Sequence, residues 1–114
     1  MKKLVICAVL ALSLLGLSGS AFAGSIYKGS TGPFDDDWQL TEYGDGGQAI
    51  MQYGYSTWMI NEDYTNAKHT TKYHTARVSN NAGEDIDSDS AGYWANAEVN
   101  HYTAMVIYEM TWPD

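Results

Sequence analysis

The sequence predicts an all-β protein: a small antiparallel β-sandwich of about five strands, preceded by a cleaved signal peptide (1–23) and a flexible acidic arm (24–37). Three observations predict it. Three segments alternate with period two, Gly, Asn and Asp clusters separate the candidate strands, and the chain is rich in large aromatic rings.

The clearest strands are 72–79, 93–100 and 103–112. In the first, His74, Ala76 and Val78 share one face while Tyr73, Thr75 and Arg77 share the other. In the second, Tyr93, Ala95, Ala97 and Val99 oppose Trp94, Asn96 and Glu98. The third alternates Ala104, Val106, Tyr108, Met110 and Trp112 against Thr103, Met105, Ile107, Glu109 and Thr111. Two further candidates lie upstream, 38–43 and 48–60, the latter kinked or bulged at Gly54. Asn100-His101-Tyr102 is too short a link for a crossover, so it predicts an antiparallel hairpin between the last two strands. Residues 79–91 read as a polar loop. Trp94 and Trp112, in well-alternating segments, are assigned to the core.

The N-terminus carries a different pattern. Met1-Lys2-Lys3 leads into the apolar stretch Leu4 to Leu17, and Ala21-Phe22-Ala23 supplies small residues at a cleavage position before Gly24. The apolar run is shorter than the roughly 20 residues of a membrane span. The single cysteine, Cys7, lies inside that run, so the mature chain is expected to carry neither disulfide nor lipid anchor. The sequence thus predicts a secreted, extracellular protein of 91 residues, one domain (38–114) behind the arm, not membrane-anchored after cleavage. Residues 24–37 are rich in Gly, Ser and Asp and are read as flexible, with disorder through about Pro33.

After residue 23 there are four Lys and Arg against fourteen Asp and Glu, a formal charge of −10. Such a balance excludes nucleic acid, or an anionic lipid surface, as a partner held by simple attraction. Lys68, Lys72 and Arg77 are the only basic residues close together in sequence.

Two groups of residues could carry chemistry. Asp85, Asp87 and Asp89 alternate within Glu84–Asp89, which reads either as a solvated acidic loop or as a calcium-binding one; the glycine and the bidentate glutamate of the familiar calcium loop are replaced by Ser90 and Asn96. Calcium is the only cofactor the sequence offers. His69, His74 and His101 have no spacing that forces convergence on a metal, and a five-residue separation in a regular strand would turn His69 and His74 to opposite faces. The sequence has no nucleophile elbow, phosphate-binding glycine loop or His-Glu-x-x-His pair, so it is read as a non-enzyme.

Several segments taken in order, Trp38-Gln39, Tyr43-Gly44, Tyr55-Ser56, Lys72-x-His74-Thr75-Ala76-x-Val78, Asn80-Asn81, Gly83, Ala91-Gly92-x-Trp94-Ala95-x-Ala97 and the closing Tyr108 and Trp112, resemble the lactococcin 972 family of bacteriocins. The resemblance spans 75 residues, Trp38 to Trp112. It implies a secreted antibacterial β-sandwich that binds the cell-wall precursor lipid II and blocks septum formation in related Gram-positive bacteria. Dedicated immunity and transporter proteins would be its other partners. Joined to the charge count, it points to Lys68, Lys72 and Arg77 as the groups that would meet the pyrophosphate. The alternative is a non-killing surface or adhesion module of the same fold, calcium-dependent if the acidic segment binds the ion.

Overall fold

The computed structural model describes residues 24–102 and 105–113, so the segment 1–23, read from sequence as a signal peptide, lies outside the described residues. Eight strands follow one another: β1 (Gly24–Ser30), β2 (Trp38–Gly44), β3 (Ala49–Ser56), β4 (Glu62–His69), β5 (His74–Asn80), β6 (Gly83–Asp89), β7 (Ala95–Asn100) and β8 (Val106–Trp112). They form two four-stranded antiparallel sheets, β1-β8-β5-β6 and β2-β3-β4-β7, packed as a β-sandwich. Hairpins join β2 to β3, β3 to β4 and β5 to β6, and the other four connections cross between sheets.

Period-two alternation explains the elements that the sequence displays openly. His74, Ala76 and Val78 of β5 and Val106, Tyr108, Met110 and Trp112 of β8 all point inward and are buried. The core combines large side chains from β3 and β8, including Met51, Tyr53, Tyr108 and Met110, with alanines on β4, β5 and β7. Large rings fill the space that the small residues leave, and Tyr53 and Tyr108 meet at 4.9 Å between centroids.

Several expectations are corrected. Residues 24–30 are not a flexible arm: β1 pairs along its whole length with β8, from Gly24 opposite Trp112 to Ser30 opposite Val106. Ile26 joins the core. A Cβ on Gly24 would fall 2.2 Å from Trp112 Cζ2, so the indole rests on a position only glycine can occupy. Residues 83–89 are not a loop but β6, paired with β5 from Gly83 opposite Asn80 to Asp89 opposite His74. β7 and β8 do not form a hairpin, because β7 pairs with β4 in one sheet while β8 lies between β1 and β5 in the other. β7 ends at Asn100 in one sheet and β8 begins at Val106 in the other, so the chain changes sheet between them. β3 is not bulged at Gly54, which sits in unbroken register opposite Gln39 and Tyr64. The glycine is needed there for another reason: a Cβ would fall 2.0 Å from the Trp38 carbonyl oxygen.

Trp94 precedes β7 and keeps 36 % of its surface exposed, whereas Trp112 keeps 7 %. The reason is that the inward alternation of β7 starts at Ala95, leaving the preceding indole on the outside beneath the Lys68 ammonium, 5.7 Å from its ring centroid. Trp112→Ala is therefore expected to destabilise the fold by roughly 3–5 kcal/mol, and Trp94→Ala by less than about 1 kcal/mol. Chemical denaturation of the two variants side by side checks this ordering.

Candidate functional site

The three basic residues singled out by sequence do not converge. Lys68 lies on the outward face of β4 in one sheet and Arg77 on the outward face of β5 in the other, so the sandwich separates them. Arg77 is held between two carboxylates, with Nε donating to Glu84 and Nη1 to Glu109 at 3.1 Å. Those hydrogen bonds and charges push its guanidinium pKa up against the opposing effect of burial. Lys72 Nζ stands 3.9 Å from Asp45 Oδ2, and Lys28 Nζ stands 3.7 Å from Glu42 Oε2. With Lys68 over Trp94, all four cations after residue 23 already have partners.

The acidic trio is likewise occupied. Asp85, Asp87 and Asp89 share one face of β6, as alternation requires. Asp87 Oδ2 accepts the Asn96 backbone N–H at 2.8 Å and Asp85 Oδ2 accepts that of Glu98 at 3.0 Å, both from the edge strand β7. Asp89 accepts the N–H of Ser90. Asp85 and Asp87 therefore bridge the two sheets, and among the described residues no group of three His, Cys, Asp or Glu side chains is arranged to hold a metal ion.

The histidines serve two different ends of the molecule. His69 and His74 both point inward, because a change of sheet between β4 and β5 overrides the opposite-face expectation for a single strand. His69 Nδ1 accepts the N–H groups of Thr71 and Lys72 at 3.2 and 3.1 Å, which assigns the proton to Nε2 and makes that nitrogen the donor to Asp45 Oδ2 at 2.7 Å. His74 lies 2.8 Å from the carbonyls of both Lys72 and Tyr93. At the far end His101 Nδ1 donates to both oxygens of the buried Asp63 and stacks on Phe34 with centroids 4.3 Å apart.

One surface feature was missed from sequence. A shallow groove of about 460 Å³ crosses the outer face of β2, β3, β4 and β7, bordered by Asp37, Gln39, Tyr64, Asn66, Glu62 and Glu98. Its side chains come from four separate segments, so no local motif announces it. Tyr64 donates its hydroxyl to Gln39 Oε1 at 2.8 Å, which braces the groove wall next to Gly54. Burial, and then the Glu98 carboxylate within hydrogen-bonding reach, push the Glu62 carboxyl up. The groove is rich in acceptors and suits ligands that present hydroxyl, amide or ammonium donors.

Comparison with protein-family models, with curated proteins and with solved structures gives no match at any of the three levels. Among the described residues no helix is long and apolar enough to cross a membrane.

Two outcomes follow from these contacts. Because Asp85, Asp87 and Asp89 already accept backbone N–H groups, thermal melts in millimolar calcium and in chelator are expected to superimpose. A carboxyl raised in the folded state stabilises the fold fully below its unfolded pKa of about 4.3 and loses that contribution as pH rises through the folded value. Glu62→Gln is therefore expected to melt above the wild type at pH 7 and together with it near pH 4, as followed by circular dichroism across that range.

Proposed function

We propose that the chain is a secreted antibacterial protein of the lactococcin 972 kind, acting by stoichiometric binding of a cell-wall precursor and not by catalysis. The observation that carries this reading is the span of the resemblance: Trp38 to Trp112 takes in seven of the eight strands, β2 through β8. Export by the 1–23 segment and a cysteine-free sandwich that holds itself together agree with it.

The recognition chemistry differs from that implied by Lys68, Lys72 and Arg77. Those cations are dispersed and partnered, so they offer no pyrophosphate cradle. The groove between β2 and β7 offers Gln39, Asn66, Glu62 and Glu98 as hydrogen-bonding groups, with the Tyr64 ring beside them. Carboxylates and amides around an aromatic ring suit the hydroxyl, acetamido and amine groups of a glycopeptide headgroup such as that of lipid II. On this reading the sugar and stem peptide are gripped and the pyrophosphate is left in solvent.

Purified residues 24–114 added to dividing Gram-positive cells are expected to produce a septation defect without rapid lysis. A Gln39→Ala, Glu98→Ala double variant should lose at least about tenfold in inhibition and in binding to lipid II-bearing vesicles, the equivalent of two hydrogen bonds. Arg77→Ala should leave both unchanged. Inhibition absent across a broad panel of dividing cells would overturn this reading in favour of the non-killing surface or adhesion module.

A further inference from the structure

The turn between β3 and β4 exposes three consecutive apolar residues. Trp58 keeps 76 % of its surface in solvent, Met59 82 % and Ile60 52 %. Exposed apolar residues scattered singly need no account, but three in succession at the tip of a hairpin form a continuous apolar projection. The turn is tightly built. Ile60 N–H donates to the Trp58 carbonyl at 2.7 Å, closing a three-residue turn around Met59, whose φ of 67° lies in the region that side chains other than glycine rarely adopt.

That unfavourable backbone is held by contacts from behind. Asp37 Oδ1 accepts both the N–H and the hydroxyl of Thr57, at 2.8 and 2.6 Å, and these bonds hold the Asp37 carboxyl below the usual range. Ser56 Oγ accepts the Trp58 N–H at 3.3 Å, and the Asn61 carbonyl accepts the N–H of His101 at 2.9 Å. A strained, pinned turn that holds apolar side chains away from the protein is costly unless something receives them.

We propose that this turn inserts reversibly into the interfacial layer of a lipid bilayer through Trp58, Met59 and Ile60, a peripheral contact that needs neither a lipid anchor nor a membrane span. Three features select a bilayer over a protein pocket. The projection stands at the tip of a hairpin and its three exposed side chains carry no charge, so it suits a medium without a fixed shape. The backbone N–H groups of Thr57, Trp58 and Ile60 are satisfied within the protein, which lowers the cost of entry, and the Met59 N–H at the tip is left for the water and headgroup oxygens of the interfacial layer. The leading residue is tryptophan, whose indole favours the boundary between headgroups and chains.

Charge sets the expected lipid preference. The turn lies at the end of the sandwich that carries Asp35, Asp36 and Asp37, while Lys68 and Lys72 lie at the other end. Anchoring therefore draws on apolar area without electrostatic attraction, and anionic headgroups oppose it.

Residues 24–114, which contain every strand and omit the apolar segment 4–17 that would itself bind lipid, are to be sedimented with vesicles of pure phosphatidylcholine. We expect co-sedimentation with a blue shift of tryptophan emission. The exposed-residue variant Trp58→Ser, Met59→Ser, Ile60→Ser should melt as the wild type does and bind at least about tenfold more weakly. A Tyr93→Ser, Trp94→Ser variant at the opposite end serves as control and should bind unchanged. Adding phosphatidylglycerol should weaken binding at low salt, and raising the salt should restore it. No co-sedimentation with either lipid, or undiminished binding by the triple variant, would overturn the proposal. So would a protein that self-associates through the turn without binding vesicles. These vesicles contain no wall precursor, so the result stands apart from the lipid II reading.

Discussion

A carboxylate with no exposed surface, Asp63 on the central strand β4, organises one end of the sandwich. An ionised carboxyl is severely penalised in such surroundings unless donors are fixed around it. Two segments remote in sequence supply them. His101, on the link from β7 to β8, donates Nδ1–H to both Asp63 oxygens at 2.8 and 3.0 Å. Asn80, the last residue of β5, places Nδ2 3.0 Å from Asp63 Oδ2 and 2.8 Å from the Asn100 carbonyl. The same asparagine accepts the N–H groups of Ala82 and Gly83 through Oδ1, shaping the turn into β6. One buried charge thus ties both sheets, the β5–β6 hairpin and the link between β7 and β8 to a single geometry. Its influence extends to Tyr108, whose hydroxyl is pushed far up by burial first and then by the charge of Asp63.

Sandwiches have open edges, and this one closes them with charged side chains. The edge strands β6 and β7 lie alongside each other, and β7 would present the N–H groups of Asn96 and Glu98 to any passing strand. Asp87 and Asp85 accept those two donors, so the alternating acids cap an edge and join the sheets in one set of contacts. On the opposite side, Lys28 of β1 reaches Glu42 of β2 across the other pair of edges. These contacts supply a link between sheets in a chain with no cysteine after Cys7.

The legibility of each element followed the polarity of its inner face. β5, β7 and β8 turn Ala, Val, Tyr and Met inward, and their alternation could be read directly. β4 turns Asp63, Thr65, Ala67 and His69 inward, so a search for apolar period-two patterns passes over it even though it is central. β6 directs Asp85 and Asp87 toward β7, and these acids resemble a loop because their partners are backbone donors from another sheet. β1 has Ile26 as its one inward apolar side chain and depends on pairing with β8, which the local sequence does not announce. The candidate site was opaque for the same physical reason. Lys68, Lys72 and Arg77 are near in sequence, but alternation and a change of sheet disperse them, whereas the groove assembles residues from 37 to 98.

The dispersal of the cations constrains how this protein can recognise anything. With a formal charge of −10 after residue 23 and each Lys and Arg there matched to an acid or a ring, the described residues present no free positive patch to draw in phosphate or anionic lipid over distance. Binding free energy must then come from short-range sources: directed hydrogen bonds, and apolar area removed from water. The molecule offers one of each at neighbouring positions, since Ser56 and Glu62, which flank the Trp58 turn, also border the groove. A ligand with a hydrogen-bonding head and an attachment to a lipid surface would meet both at once. The two contacts would then be intramolecular with respect to each other, and each would raise the effective concentration for the other. That arrangement lets weak individual contacts combine, and it makes specificity depend on the spacing between groove and turn, which the hairpin of β3 and β4 holds rigid.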